Sequence, residues 1–228
     1  MWESLEQAWQ LMVGADPELR NIIATTMRMS LASTAIASVV GISLGALVGS
    51  RDFWGKRLLL RAINTLMGLP PVVAGLAVFM LLSRSGPLGS LSLLFSVSAM
   101  VIAQVVLITP IISGLTASAV AAKAPLILET TRGLGIGRKR ELYYLFHETR
   151  EQLIAIMLTG YGRAISEVGA VQLVGGNVQF KTRVMTTAIM LETNRGHFGL
   201  ALALGIILLI IAFVVVSIAQ RLQGETHA

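Results

Sequence analysis

Long uncharged apolar runs alternate along the chain with short polar islands. About twenty apolar residues, rising roughly 1.5 Å each in a helix, cross the hydrocarbon core of a bilayer. The pattern predicts five spans, at about 22–50 (uncharged from 29), 62–83, 91–122, 152–172 and 198–220. The fourth carries Arg163 and Glu167 in its middle. Ahead of them, Trp2, Leu5, Trp9 and Met12 recur at helical spacing, with Glu3, Glu6 and Gln10 elsewhere around the wheel. That predicts a short amphipathic helix over 1–20, lying at the bilayer surface or packed on the rest of the protein. Asp16-Pro17 ends it, and its acidic character predicts no cleavable signal. The expected organisation is therefore an external or interfacial helix at 1–20, a transmembrane domain at 21–222 and a polar tail at 223–228.

Three features punctuate the spans. Gly41, Gly45 and Gly49 form overlapping Gly-x-x-x-Gly units, which let a partner helix approach closely, within this chain or from a second copy. Gly68-Leu-Pro70-Pro71 removes two backbone donors inside the second span. Broken backbone at membrane depth survives where it is buried in protein or lines a cavity, so Pro70 and Pro71 are pathway candidates, with a plain kink as the alternative. The third span carries Gln104, also a pathway candidate, and a Thr109-Pro110 kink.

Composition strengthens the membrane reading. Only 13% of residues are charged and 54% are apolar, where a soluble domain would carry about a quarter charged. A net charge of +6 would suit nucleic acid, but the cations sit in islands between spans rather than on one polar face. With no cysteine, disulfides and thiolate metal sites are excluded, and no metal site is expected. His147, His197 and His227 are scattered, with no nucleophile–base spacing, so no catalytic residue is expected. Segments 51–61, 123–150 and 221–228 hold eleven of the eighteen Lys and Arg residues, all on one side of a five-span chain. The positive-inside rule makes that side cytoplasmic, with the N-terminus outside and the C-terminus inside.

The most polar island is 125–150, where Gly133, Gly135 and Gly137 make an elbow between two helical stretches. The glycines follow a helix rather than a strand and no phosphate-binding Gly-x-x-x-x-Gly-Lys-Ser/Thr occurs, so no ATPase site is expected in this chain. A helix–elbow–helix at a membrane surface suits docking of a soluble partner, an ordinary hairpin being the alternative. Arg163 and Glu167 stand four apart, on one helical face. Charges inside a span usually pair toward the bundle interior, as a structural bridge or at a gate. Gly175-Gly176-Asn177, with Lys181 and Arg183 close behind, offers amides and cations suited to an oxyanion or a partner's acidic rim, or else a merely solvated loop.

Glu129-Thr-Thr-Arg-Gly-Leu-Gly135, nine residues, then Leu145-Phe-His-Glu148 resembles the coupling loop of binding-protein-dependent ABC importer permeases. Thr130 and Thr131 stand where that pattern has alanines, and His147 and Glu148 where it has Leu and Pro. Asn64–Pro71, Ser83–Leu88, Gly162–Ala170, Val174–Asn177 and Thr182–Ala188 resemble permeases of the tungstate-type branch of the molybdate/tungstate/sulfate importers, over about 20–220. The resemblance implies an all-α type I importer fold, a homodimer with one pathway, two cytoplasmic ATPase subunits that use ATP and Mg, and an external oxyanion-binding protein. It implies a multi-pass location in a bacterial or archaeal plasma membrane, and no nucleic-acid partner. Glu129, Arg132, Gly133, Leu134, Gly135, Tyr143 and Phe146 become the expected coupling residues. Tungstate is the expected cargo, with molybdate, sulfate or another small anion as alternatives. A non-transporting scaffold that recruits a partner through 125–150 is the contrasting possibility. It would need neither the Pro-Pro break nor an ion pair inside a span.

Overall fold

A computed structural model describes residues 17–224. Residues 1–16 of the amphipathic helix expected over 1–20, and residues 225–228 of the tail, lie outside the described residues, while 17–20 open the first long helix. The described helices are α1 (Pro17–Ser50), α2 (Lys56–Met67), α3 (Pro71–Leu82), α4 (Val97–Gly133), α5 (Arg138–Ile165), α6 (Gly169–Gly175), α7 (Met185–Asn194) and α8 (Phe198–Gly224), with a 3-10 turn at Gly89–Leu91. Among the described residues, α1, α4 and α8 are each long and apolar enough to cross a bilayer, and the bent α2–α3 pair is either a broken span or a re-entrant loop.

Residues 62–83, expected as one span, are divided at Gly68–Pro70, and α2 and α3 meet at a bend of 102°. The cause is local. Pro71 occupies the first position of α3, where its missing N–H costs nothing, while Pro70 holds extended backbone and cannot continue α2. The segment 152–172 is also discontinuous. Its helix starts fourteen residues earlier, at Arg138, ends at Ile165, and resumes as the short α6. Pro110 and Pro125 behave differently, since α4 runs on through both. The loop expected at 173–197 contains a helix, α7, that polar composition concealed.

α1 and α4 form the centre, and their contact inverts the usual pattern. Thr26, Ser30, Ser33, Thr34 and Ser38 of α1 are buried, whereas Leu31, Val39, Val40 and Leu47 are exposed. In lipid the outer face must be apolar, and close packing with hydroxyl pairing holds the inside. A Cβ on Gly45 would lie 2.5 Å from the Ser113 carbonyl oxygen, one on Gly49 2.6 Å from that of Ala117, and one on Gly41 2.8 Å from Ile112. The Gly-x-x-x-Gly face is thus consumed within the chain. Several hydroxyls return their proton to the preceding turn, as Thr26 Oγ1 does to Ile22 O (2.7 Å) and Ser30 Oγ to Thr26 O (2.7 Å). Thr26 Oγ1 also accepts from Met185 N (2.9 Å), which satisfies the first amide of α7.

Candidate functional site

The hairpin is built from the far ends of α4 and α5. α4 is 37 residues long, about 55 Å at helical rise, well beyond a hydrocarbon core of about 30 Å. Its surplus carries the elbow clear of the spans. Leu134 N donates to Thr130 O (3.1 Å) and Ile136 N to Thr131 O (2.8 Å), closing the end of α4. Gly135 sits at φ +67°, a left-handed backbone that L side chains resist. Gly137 then caps α5, accepting from Arg140 N and Glu141 N. The base is fixed by the buried Leu145 against Ala46, Val120 and Ala124, and by Lys123 Nζ donating to Glu148 O.

Around this rigid base the tip is open. Leu126, Leu134, Tyr143, Tyr144 and Phe146 are exposed, Leu134 at 71% and Tyr143 at 64%. Glu129, Gly133 and Gly135 are exposed among them, and Arg132 lies in the last turn of α4. Tyr143 stacks on His147 (centroids 6.0 Å) and meets Tyr144 edge-on (5.8 Å), which stiffens one side of the patch. Such an aromatic and aliphatic cluster on a polar, basic hairpin is the composition of a protein-binding surface.

A second constellation forms where the two helix breaks meet. A Cβ on Gly169 would lie 2.9 Å from Val72 Cγ2, and one on Gly75 2.6 Å from the Ala170 Cα. The Pro70-Pro71 break is therefore packed against the 166–168 break. Glu167 is 3% exposed there, and its Oε1 accepts from Ala170 N (3.1 Å) at the start of α6. Its Oε2 lies 3.4 Å from Arg163 Nη2, whose side chain is 39% exposed. The carboxylate holds the helix restart and the guanidinium at once, and leaves the cation partly open. Thr186 Oγ1 donates to Glu167 O (2.8 Å), tying α7 to the same corner. Val72, Gly169, Ala170 and Thr186 were not among the residues that the sequence singled out, and a glycine two residues beyond an intramembrane Glu was the available signal.

Other candidates have different work. Gln104 is fully buried and staples three helices, accepting from Ser33 Oγ (2.6 Å) and donating to Ala164 O (2.7 Å). It supports the break rather than lining an opening. Gly175 packs on Met100, and Gly176 caps α6 at φ +68° beside the Phe95 ring. Asn177 pairs with Thr187, whose Oγ1 donates to Asn177 Oδ1 (3.0 Å). The amides of Gly176, Val178, Lys181, Thr182 and Arg183 all have internal acceptors, so they are not offered to an anion. Lys181 is exposed, but Arg183 is buried against α1, its Nη1 2.5 Å from Glu18 Oε1. Glu18 also accepts from Gln179 Nε2 (2.8 Å). The expected pair of outward cations is thus one cation and one internal clamp.

The family model for the binding-protein-dependent transport system inner membrane component matches residues 41–226. The chain is 39% identical over 223 residues, 98% of each chain, to the tungstate uptake system permease protein TupB of Peptoclostridium acidaminophilum. It is 38% identical over 214 residues, 91% of this chain and 92% of the other, to a probable anion ABC transporter permease protein of Haloferax volcanii. In fold it matches a chain of the inward-facing MetNI methionine ABC transporter with a TM-score of 0.70 at 14% identity, covering 91% of this chain and 95% of that one. The all-α architecture is accordingly that of a type I ABC importer transmembrane subunit. With an inner-membrane component's helices, and sequence likeness running end to end, the chain belongs to the family of binding-protein-dependent transport system inner membrane components.

Proposed function

We propose that this chain is the transmembrane subunit of an ATP-driven importer of tungstate, working as a homodimer with two ATPase subunits on the hairpins and an external binding protein that delivers the anion. The observation that carries the transport reading is the exposed aromatic hairpin on a rigid base, set at the end of the same helices that meet the broken, charged corner. The relatives support the cargo, since one is a tungstate uptake permease and another a probable anion permease. The charge pattern supplies the orientation, with the hairpin cytoplasmic and the N-terminus outside.

Mechanistically, closure of the ATPase subunits draws the two hairpins together. Each hairpin is continuous with α4 and α5, so its displacement moves those helices as levers. The ATPases can drive the change only because the hairpin makes different contacts with their open and closed arrangements. The junction of Pro71–Val72 with Glu167–Gly169 is the expected gate, where separate short helices can shift without bending a long one. Arg163 would offer the passing oxyanion a charge that Glu167 holds in place.

Copurified with its ATPase and reconstituted with the binding protein, the chain is expected to import tungstate in an ATP-dependent manner and to prefer it over sulfate. ATPase association without any anion uptake would favour the scaffold reading. Uptake that prefers sulfate would refute the cargo while leaving the transporter intact.

A further inference from the structure

We infer that α2 is a surface helix that binds anionic phospholipid head groups on the hairpin side of the bilayer. Placed on a helical wheel at about 100° per residue, α2 has three flanks. Leu59, Leu60, Ile63 and Met67 form the first, and it is packed inward, with Ile63 on Val48 and Ala117 and Met67 beside Gly114. Leu58, Ala62 and Leu66 form the second, exposed and apolar. Arg57, Arg61 and Asn64 form the third, exposed and cationic.

Depth follows from the packing. Ala117 of α4 lies about 9 Å of helix from Lys123, where the charged hairpin begins. The Ser50–Asp52 turn before α2 lines one cavity with Leu128, Glu141 and Leu145 of that hairpin. α2 therefore sits at the boundary between hydrocarbon and water, and its 102° bend to α3 turns it across the bundle. A helix at that depth, apolar along one flank and cationic along the other, matches an interface whose acyl chains and phosphates lie side by side.

Charge decides which lipid. Lys56 is paired with Asp52 (2.9 Å), but neither Arg57 nor Arg61 meets an acidic side chain among the described residues. Two guanidiniums left in the head-group layer suit phosphodiesters that carry net negative charge, and their planar fork can grip two phosphate oxygens. The fully exposed Trp54, with exposed Phe53, precedes them and adds ring surface of the kind that settles at this layer.

The test reconstitutes the purified subunit in phosphatidylcholine alone or mixed with phosphatidylglycerol. After gentle extraction, the lipids that remain bound are counted by native mass spectrometry. The parent should retain phosphatidylglycerol preferentially, Arg57→Gln with Arg61→Gln should lose roughly tenfold of that preference, and Arg57→Lys with Arg61→Lys should keep most of it. Unchanged enrichment in the double glutamine variant would overturn the assignment. So would a glutamine variant of the assembled complex whose tungstate uptake falls equally in both lipid mixtures, because the cations would then serve the transported anion.

Discussion

At the residue scale the two partners of the Arg163–Glu167 ion pair are unequal, and the inequality sets what their variants do. Glu167 is nearly closed to solvent while Arg163 is partly open. Arg163→Met leaves a buried carboxylate with a backbone amide but no cation, a defect costing on the order of 1–3 kcal/mol or more. Glu167→Gln keeps an acceptor for Ala170 N and leaves an arginine that can reach water. Thermal unfolding of the detergent-purified subunit should therefore show the larger loss for Arg163→Met; a larger loss for Glu167→Gln would contradict the assigned burial. Arg183 invites the same reasoning. It clamps α1 to the loop before α7 through Glu18, so Arg183→Gln should lower stability and Lys181→Gln should not. If Lys181→Gln slows binding-protein-dependent uptake chiefly at low salt, its cation works at the rim, where screening is strong.

Between elements, close approach and the elbow matter most. Gly45→Ala forces a methyl against the Ser113 carbonyl and should destabilise by about 1–3 kcal/mol. Gly205→Ala, on α8 with open space around it, should change stability little. Comparable losses at both positions would show that α1 and α4 are not packed as described. In the hairpin, Gly135→Val demands a left-handed β-branched residue, a strain of about 1–3 kcal/mol. Nothing blocks the added atoms, so the elbow should rearrange rather than the fold collapse. Tyr143→Ala removes an exposed ring and should weaken ATPase binding about tenfold without altering the subunit's own melting, as truncating a docking anchor does.

For the whole molecule, legibility tracked the range of the forces involved. α1, α4 and α8 could be read because lipid demands a long apolar stretch, and that demand is local. The Pro-Pro break was equally visible, but its angle was not, since Val72, Gly75, Gly169 and Ala170 meet across nearly a hundred residues of sequence. A still longer separation, 165 residues, hid Glu18 as the partner of Arg183 and made an internal clamp resemble a free cation. α7 was obscured because its exposed end is polar while Met185, Thr186, Thr187 and Ala188 are buried. The hairpin tip was legible by its three glycines, around which an added Cβ would meet nothing among the described residues, and by the aromatics that follow them.

The central claim is that this hairpin transmits ATP hydrolysis to anion movement. The complex of this chain with its ATPase, in liposomes with the binding protein, allows both rates to be followed together, tungstate uptake and ATP turnover, for the parent and for Gly135→Val. The parent should import tungstate only with ATP. The variant should keep its ATPase subunits and hydrolyse ATP, yet import at least tenfold less tungstate per ATP. A variant that imports as much tungstate per ATP as the parent would contradict the account.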